Sequence, residues 1–156
     1  MRIEMQLARI LIRELNDAQL IELREVDPPA GSDPRSFPIV IGISEAIAID
    51  RRLSGIEIGR PMTHDLLANT IEELGASLDS IAITEIVDAT FYATLNLTNA
   101  MGLPVEIDAR PSDAIALGIT SNVPIYVDET VIEHAILPPM DGFDQSDGFD
   151  KTDEFE

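Results

Sequence analysis

A five-residue phrase that occurs twice places the strongest constraint on the fold. Residues 44–48 read Ser-Glu-Ala-Ile-Ala, and residues 112–116 read Ser-Asp-Ala-Ile-Ala, 68 positions later. A β-branched run precedes each copy, so each copy stands where a strand gives way to a helix. The same phrase at the same point of two halves predicts a duplicated unit with approximate internal symmetry.

The hydrophobic pattern predicts that each half runs strand, strand, strand, helix. The predicted strands cover residues 3–13, 19–25, 36–43, 78–87, 89–97, 103–109 and 124–128. The repeat helices are expected to begin at Ser44, as N-cap, and at Pro111–Ser112. A further helix over 63–74, capped by Thr63, lies between the halves, and one helical turn to about 135 completes the pattern.

Both repeat helices alternate small and large apolar residues, as Ala-Ile-Ala-Ile over 46–49 and Ala-Ile-Ala-Leu over 114–117. Successive residues point around a helix, so each helix is apolar on all sides and is expected to be buried on all sides. We therefore predict an α+β fold. A duplicated β-β-β-α unit would form three layers, β/α/β, with the repeat helices between two sheets.

The composition predicts one domain over residues 1–138 and an acidic tail over 139–156. Residues 141–156 carry seven acids and one Lys, with Phe143, Phe149 and Phe155 spaced six apart. Such a polar segment cannot bury enough apolar surface to fold by itself. It favours either a solubilising end or a linear motif that docks its Phe side chains on a protein partner.

The rest of the composition indicates an intracellular protein. The chain has no Cys, which removes disulfides, zinc-thiolate sites and a cysteine nucleophile, and it has no apolar run of membrane-spanning length. We expect a cytoplasmic protein without a membrane partner. Its many strands in a small domain favour a homo-oligomer.

The net charge argues against a basic surface that binds nucleic acid without sequence preference. The chain carries a formal charge of −19, and residues 1–140 still hold 22 acidic against 9 basic residues. Such binding normally depends on Lys and Arg side chains that displace counterions from the phosphates. Any chemistry on nucleic acid therefore needs another source of positive charge.

Four phrases, taken together and in order, resemble the bifunctional nuclease domain family. They are "FPIVIGISEAIAI", "RPMTHDLL", "TFYATL" and "IDARPSDAIALG", and the resemblance spans about residues 5–138. It implies an α+β fold of two repeated halves. It also implies a nucleic-acid substrate, with hydrolysis of DNA and RNA that does not depend on the base.

Phosphodiester hydrolysis by so acidic a chain predicts a divalent cation, Mg²⁺ or Mn²⁺, held by carboxylates. Asp108 at a strand end and Asp113 in the first helical turn are the candidate metal ligands and catalytic acids. Glu45 is the counterpart of Asp113 in the first half, and it is a third candidate ligand. Arg110 between the two Asp residues is the candidate phosphate clamp. Alternatively, Arg110 ties both carboxylates and locks strand to helix.

Two further groups are candidates for the chemistry. His64 and Asp65 stand in the first turn of the helix over 63–74. A neutral imidazole there can accept a proton or bind a metal, although both residues can equally be a surface group and a dipole-stabilising acid. Phosphate contacts are expected from the most basic stretch of the chain, which carries Arg51, Arg52 and Arg60.

A rival hypothesis stays open. The charged motif can be structural, in a non-catalytic oligomeric module that acts by binding or regulation. The sequence thus predicts a metal-assisted, base-nonspecific nuclease, with this module as the alternative.

Overall fold

The computed structural model describes residues 1–13, 15 and 18–136. The predicted tail and the boundary at residue 138 lie outside these residues. The strands are β1 (Arg2–Leu11), β2 (Ala18–Glu25), β3 (Ser36–Gly42), β4 (Ser77–Val87), β5 (Thr90–Thr98), β6 (Pro104–Ala109) and β7 (Ile125–Asp128). The helices are α1 (Ile43–Leu53), α2 (Thr63–Glu73), α3 (Pro111–Ser121) and α4 (Glu129–Ile136). The mixed α+β class and all the predicted strands are confirmed, with ends that shift by a few residues.

The seven strands form one continuous sheet in the order β3-β2-β1-β7-β4-β5-β6. Strands β1 to β3 form one antiparallel unit, and β4 to β6 form the other. Strand β7 joins the units because it pairs antiparallel with β1 and parallel with β4. The two separate sheets expected from the sequence are therefore not found among the described strands, and the three-layer arrangement is not confirmed.

The two repeat helices differ in burial. Helix α3 is buried over most of its length, from Pro111 to Gly118, as the sequence predicts. It packs on α1, α2, β4 and β5. A Cβ at Gly118 would lie 3.3 Å from the Ile81 side chain, so the missing side chain lets α3 approach β4 closely.

The prediction that α1 is buried on all sides is wrong. Only Ala46 and Ile49 of this helix are buried, and Ile47 is 48% exposed. Helix α1 packs on β2, β3 and α3, and this leaves one face open to solvent. Among the described residues, the first half contains no second helix that could cover this face, and α2 packs mainly on α3 and β4.

The predicted capping residues are also corrected. Gly42 is the N-cap of α1, so Ser44 is the second helical residue. Met62 is the N-cap of α2, so Thr63 is the first helical residue. Neither hydroxyl makes a cap hydrogen bond within the described chain. Each helix instead carries an acid as its third residue, a position that favours negative charge near the helix N-terminus.

A buried ion pair fixes the loop after β2. The Glu25 side chain is 3% exposed and its Oε1 accepts a hydrogen bond of 3.0 Å from Arg35 Nη2. Its Oε2 accepts further bonds of 3.2 Å from Arg35 Nε and from the Arg35 backbone N–H. The hydrogen bonds from Arg35 hold the pKa of the Glu25 carboxyl below its usual range, against the opposing effect of burial. Arg35 also reaches Glu129 at the start of α4, at 3.4 Å.

None of the helices in the described part of the chain is long and apolar enough to cross a membrane.

Candidate active site at three helix N-termini

Acidic side chains stand at the same position of three helices. Glu45, Asp65 and Asp113 are each the third residue of α1, α2 and α3. Each is held by an arginine: Arg110 binds Glu45 and Asp113, and Arg51 binds Asp65. The starts of the three helices are therefore linked through ion pairs and through the contact between His64 of α2 and Asp113 of α3.

Arg110 is the N-cap residue of α3 and bridges the two repeat helices. Its backbone is extended before Pro111, with φ −71° and ψ 145°, as a residue before proline is expected to be. Its Nη2 lies 2.7 Å from Asp113 Oδ2 and 3.1 Å from Glu45 Oε1, and its Nε lies 2.8 Å from Asp113 Oδ2. The side chain is nevertheless 70% exposed. Bonds from Asp113 and the nearby Glu45 raise the pKa of Arg110, so the guanidinium keeps its charge.

His64 joins this cluster from α2. Its Nε2 lies 3.1 Å from Asp113 Oδ1, and the side chain is 13% exposed. An ionised carboxylate only accepts hydrogen bonds, so this contact requires the hydrogen on Nε2. In the neutral ring, Nδ1 then carries the free lone pair. Asp113 therefore lies between a cation that faces solvent and an imidazole held in one tautomer.

Asp65 faces the other way, towards Arg51. Its Oδ2 accepts a hydrogen bond of 2.7 Å from Arg51 Nη2 and one of 3.0 Å from the Met62 backbone N–H. Burial raises the pKa of Asp65, but the bonds from Arg51 and Met62 outweigh it and hold the pKa below its usual range. The structure thus separates the two predicted neighbours. His64 contacts the Arg110 cluster, whereas Asp65 fastens α2 to α1.

The predicted basic stretch is only partly free. Arg51 is buried against Asp65, and within the described chain its Nη1 is buried without a hydrogen-bond partner. Arg52 Nη2 donates to the Thr120 backbone oxygen at 2.8 Å. Both line a cavity of about 520 Å³, together with Asp65, residues 55–58 and Pro61. Arg60 is exposed and does not line this cavity. These three arginines therefore do not form one cationic surface with Arg110.

Asp108 is not brought to the cluster. It lies on β6, next to Ile107. Ile107 pairs with Leu95 of β5, and Leu95 pairs with Ile81 of β4, so these three side chains share one face of the sheet. Gly118 of α3 packs on Ile81, so α3 lies on the sheet face of Ile107. Side chains alternate along a strand, and Asp108 therefore points to the opposite face. It makes no side-chain hydrogen bond or ion pair with another described residue.

The described residues do not fit a preformed site for Mg²⁺ or Mn²⁺. Within them, no three His, Cys, Asp or Glu side chains are grouped so that they could hold a metal ion. The Arg110 guanidinium lies between Glu45 and Asp113, where a cation bridging these two predicted ligands would have to stand. Asp108, the third predicted ligand, is on the other face of the sheet.

Sequence reasoning missed Gly42. A Cβ at this position would lie 2.5 Å from Glu45 Oε2, so the Glu45 side chain folds back over space that only glycine leaves open. The sequence signal that could have revealed its role is its position directly before Ile-Ser-Glu, where the strand gives way to the helix. Gly42 therefore positions Glu45 towards Arg110.

The sequence is similar to proteins of one known family. The model of the bifunctional nuclease domain matches residues 30–139. An uncharacterized protein of Mycobacterium tuberculosis is 36% identical over 154 residues, which cover 98% of this chain and 88% of the relative. A rice protein named Bifunctional nuclease 1 is 27% identical over 74% of this chain, and an Arabidopsis thaliana protein of that name is 23% identical over 60%. These matches span only 38% and 29% of the two plant proteins. The match over 30–139, which includes α1, α2 and α3 with their linked N-termini, shows that the chain belongs to the bifunctional nuclease domain family.

Proposed function

We propose that this chain hydrolyses phosphodiester bonds of DNA and RNA without base preference. His64 would act as the general base, Arg110 as the phosphate ligand, and Asp113 as the residue that orients both. The single observation that carries the proposal is the contact chain from Arg110 through Asp113 to His64, with distances of 2.7 and 3.1 Å. Membership of the bifunctional nuclease domain family supports the choice of substrate.

His64 has the arrangement that a general base needs. Its Nε2 is held by Asp113, and its Nδ1 is left with a lone pair that can take a proton from water. The water oxygen then attacks phosphorus, and the P–O bond to the leaving oxygen breaks. That oxygen takes a proton from solvent or from the imidazolium. Asp113 fixes the ring orientation and stabilises the charge that develops on it, as an orienting carboxylate does in other base–carboxylate pairs.

Arg110 supplies the positive charge beside Glu45 and Asp113. Its Nη1 makes no hydrogen bond within the described chain, and the side chain is largely exposed, so it can donate to a phosphate oxygen. A guanidinium near the attacked phosphate stabilises the negative charge that grows on the oxygens in the transition state. Glu45 limits where this cation can move. Phosphate contacts by Arg51, Arg52 and Arg60 stay a prediction, and those of Arg51 and Arg52 would lie along the neighbouring cavity.

Metal assistance also stays a prediction. The expected Mg²⁺ or Mn²⁺ has no preformed site among the described residues, and no step above depends on it. Cleavage that persists in chelator would support hydrolysis by His64 and Arg110 alone. Cleavage that requires added Mg²⁺ or Mn²⁺ would place a metal ion in the reaction.

The test compares two histidine variants on the same substrates. His64→Gln and His134→Gln would be incubated with single-stranded RNA and duplex DNA, with Mg²⁺, Mn²⁺ or EDTA. Loss of a general base lowers the rate by about 10²–10⁴-fold, so His64→Gln should lose almost all cleavage. His134 is the matched control, because it is exposed on α4 and its one side-chain hydrogen bond in the described chain is to the Thr130 backbone oxygen. Equal cleavage by both variants would refute the role of His64.

Two more variants separate the nuclease from the rival non-catalytic module. Arg110→Lys keeps the charge but loses the forked contact with Asp113, and we expect cleavage to fall while the thermal unfolding midpoint stays close to wild type. If Arg110→Lys and His64→Gln unfold the protein, the cluster is structural and the oligomeric module is the better account. Asp108→Asn tests the sequence-based role of Asp108, since a site limited to His64, Asp113 and Arg110 predicts that its activity is retained.

A further inference from the structure

Charge is distributed very unevenly between the two halves of the chain. Residues 1–60 carry ten acidic and eight basic residues, whereas residues 61–136 carry twelve acidic residues and one basic residue, Arg110. Strands β4 to β6 all belong to the second stretch and lie together at one end of the sheet. Residues 77–109, which form these three strands and the turns between them, carry five acidic residues and no lysine or arginine.

Strand β6 is the edge of the sheet at this acidic end. It pairs only with β5, so one row of its backbone N–H and C=O groups has no strand partner in the described chain. Helix α3 packs on β4 and β5, and β5 is the main contact of β6. The opposite edge differs, because β3 is contacted by α1 and α4. An open edge of this kind is a template for a further strand.

The two faces of β6 have opposite chemistry. Val105 pairs with Leu97 and Ile107 pairs with Leu95, so these four side chains lie on one face. The two leucines are buried, whereas Val105 and Ile107 are exposed. Leu103, directly before the strand, is exposed as well. Glu106 and Asp108 point to the other face, and both are exposed. The edge thus offers apolar side chains above the strand and carboxylates below it.

We propose that β6 binds an extended segment of another protein in which apolar and basic residues alternate. Such a segment would add as an eighth strand and satisfy the open backbone row. Its apolar residues would cover Val105 and Ile107, and its Lys or Arg residues would lie beside Glu106 and Asp108. Opposite charges and apolar pairs across neighbouring strands both stabilise a sheet. None of these β6 side chains belongs to the His64 cluster, and the proposal does not depend on the nuclease activity.

Charge decides between this partner and two others. A second copy would bring its own Glu106 and Asp108 against the same two carboxylates, and like charges opposite each other destabilise a sheet. The segment 141–156 of this chain carries seven acids and one Lys, so it would be repelled from β6 in the same way. A nucleic acid would be repelled as well. A basic, extended polypeptide complements both faces of the edge.

The test uses a fluorescein-labelled octapeptide of alternating valine and lysine as the probe, with the intact chain. A peptide of alternating valine and glutamate is the control ligand. Fluorescence anisotropy measures binding, and hydrogen exchange of the β6 amides shows where the peptide lies. We expect the valine–lysine peptide to bind, the valine–glutamate peptide not to bind, and those amides of residues 105–109 that do not bond to β5 to gain protection.

Matched variants locate the charge effect. Glu106→Lys on β6 and Glu85→Lys on the internal strand β4 make the same charge change at exposed glutamates. The proposal predicts that Glu106→Lys weakens peptide binding about tenfold, whereas Glu85→Lys changes it less than about twofold, a difference of ~1 kcal/mol. Ile107→Ser should weaken binding without a change of charge.

Four results would overturn the proposal. The first is that the valine–lysine peptide does not bind measurably. The second is that both lysine variants weaken its binding equally. The third is that the peptide protects only amides that lie outside β6. The fourth is a dimer of the free chain, seen by sedimentation, that Ile107→Ser dissociates, because the occupant would then be a second copy.

Discussion

The buried pair between Glu25 and Arg35 gives the sharpest test of how charge stabilises this fold. Replacing Glu25 by Gln keeps the size of the side chain but leaves the Arg35 guanidinium facing a neutral group. Breaking a buried ion pair costs about 3–5 kcal/mol of the free energy of unfolding. The Arg35 side chain is 32% exposed and also reaches Glu129, so we expect a loss near the lower end, about 3 kcal/mol.

Glu22, three residues earlier on β2, is the matched control. It pairs with Arg9 at 2.6 Å and with Arg24 at 3.7 Å, but these two arginine side chains are 62% and 46% exposed. Exposed pairs contribute about 0–1 kcal/mol, so Glu22→Gln should cost less than 1 kcal/mol. Urea unfolding followed by circular dichroism measures both losses, and equal slopes on urea would show that the unfolded states are comparable. If the two variants lose the same free energy, burial does not set the value of these pairs.

The stability that Glu25→Gln loses should depend on pH in one direction. The pKa of Glu25 is lower in the folded chain than in the unfolded chain, so its stabilising effect is complete above the unfolded value of about 4.3. It is lost as the pH falls through the lowered folded pKa. The gap in unfolding free energy between wild type and Glu25→Gln should therefore be constant at neutral pH and shrink below about pH 4. A gap that grows on acidification would contradict the assignment.

Two further predictions concern the helices. Ile115→Ala should cost about 2–5 kcal/mol of unfolding free energy, because this side chain is fully buried. Ile47→Ala on the other repeat helix should cost less than about 1 kcal/mol, because Ile47 is exposed. Equal losses in urea unfolding would contradict the difference in burial. Gly42→Ala should push the Glu45 carboxylate away from Arg110 and destabilise the chain by no more than about 1 kcal/mol, because the pair with Arg110 is exposed. A 15N spectrum in which the Arg110 Nη2 signal is unchanged would show that Glu45 keeps its place, because Nη2 is the atom that donates to Glu45.

Local patterns in the sequence predict the elements of this fold well. The β-branched runs, the turn residues and the proline at the start of α3 each act over a few residues, and they locate every strand and helix of the described chain. The burial of α3 also follows from its composition, since no polar face interrupts residues 114–118. The same composition misleads for α1, because burial depends on which elements lie beside a helix, and α2 packs mainly on α3 and β4 of the second half.

The candidate site depends on contacts across long stretches of chain, and these are harder to predict. His64 and Asp113 are 49 residues apart, and Arg110 and Glu45 are 65 apart. Sequence reasoning selected all four residues by type and by their places near helix starts, and it proposed Arg110 as a structural fork. It paired Arg110 with Asp108 as well, because the two are close in sequence. The alternation of side chains on β6 puts Asp108 on the other face, and only the sheet register reveals this.

The central place of β7 governs how this chain can fold as it is synthesised. The strand is formed by residues 125–128, yet its neighbours are residues 2–5 and 81–83. Until the ribosome has released this late segment, β1 and β4 each keep an open border, and the two three-stranded units have no common sheet. Pairing across more than a hundred residues slows folding, since the chain must close a long loop first. We therefore expect nascent chains that stop before residue 125 to be prone to aggregation, with β1 and β4 as the exposed strands.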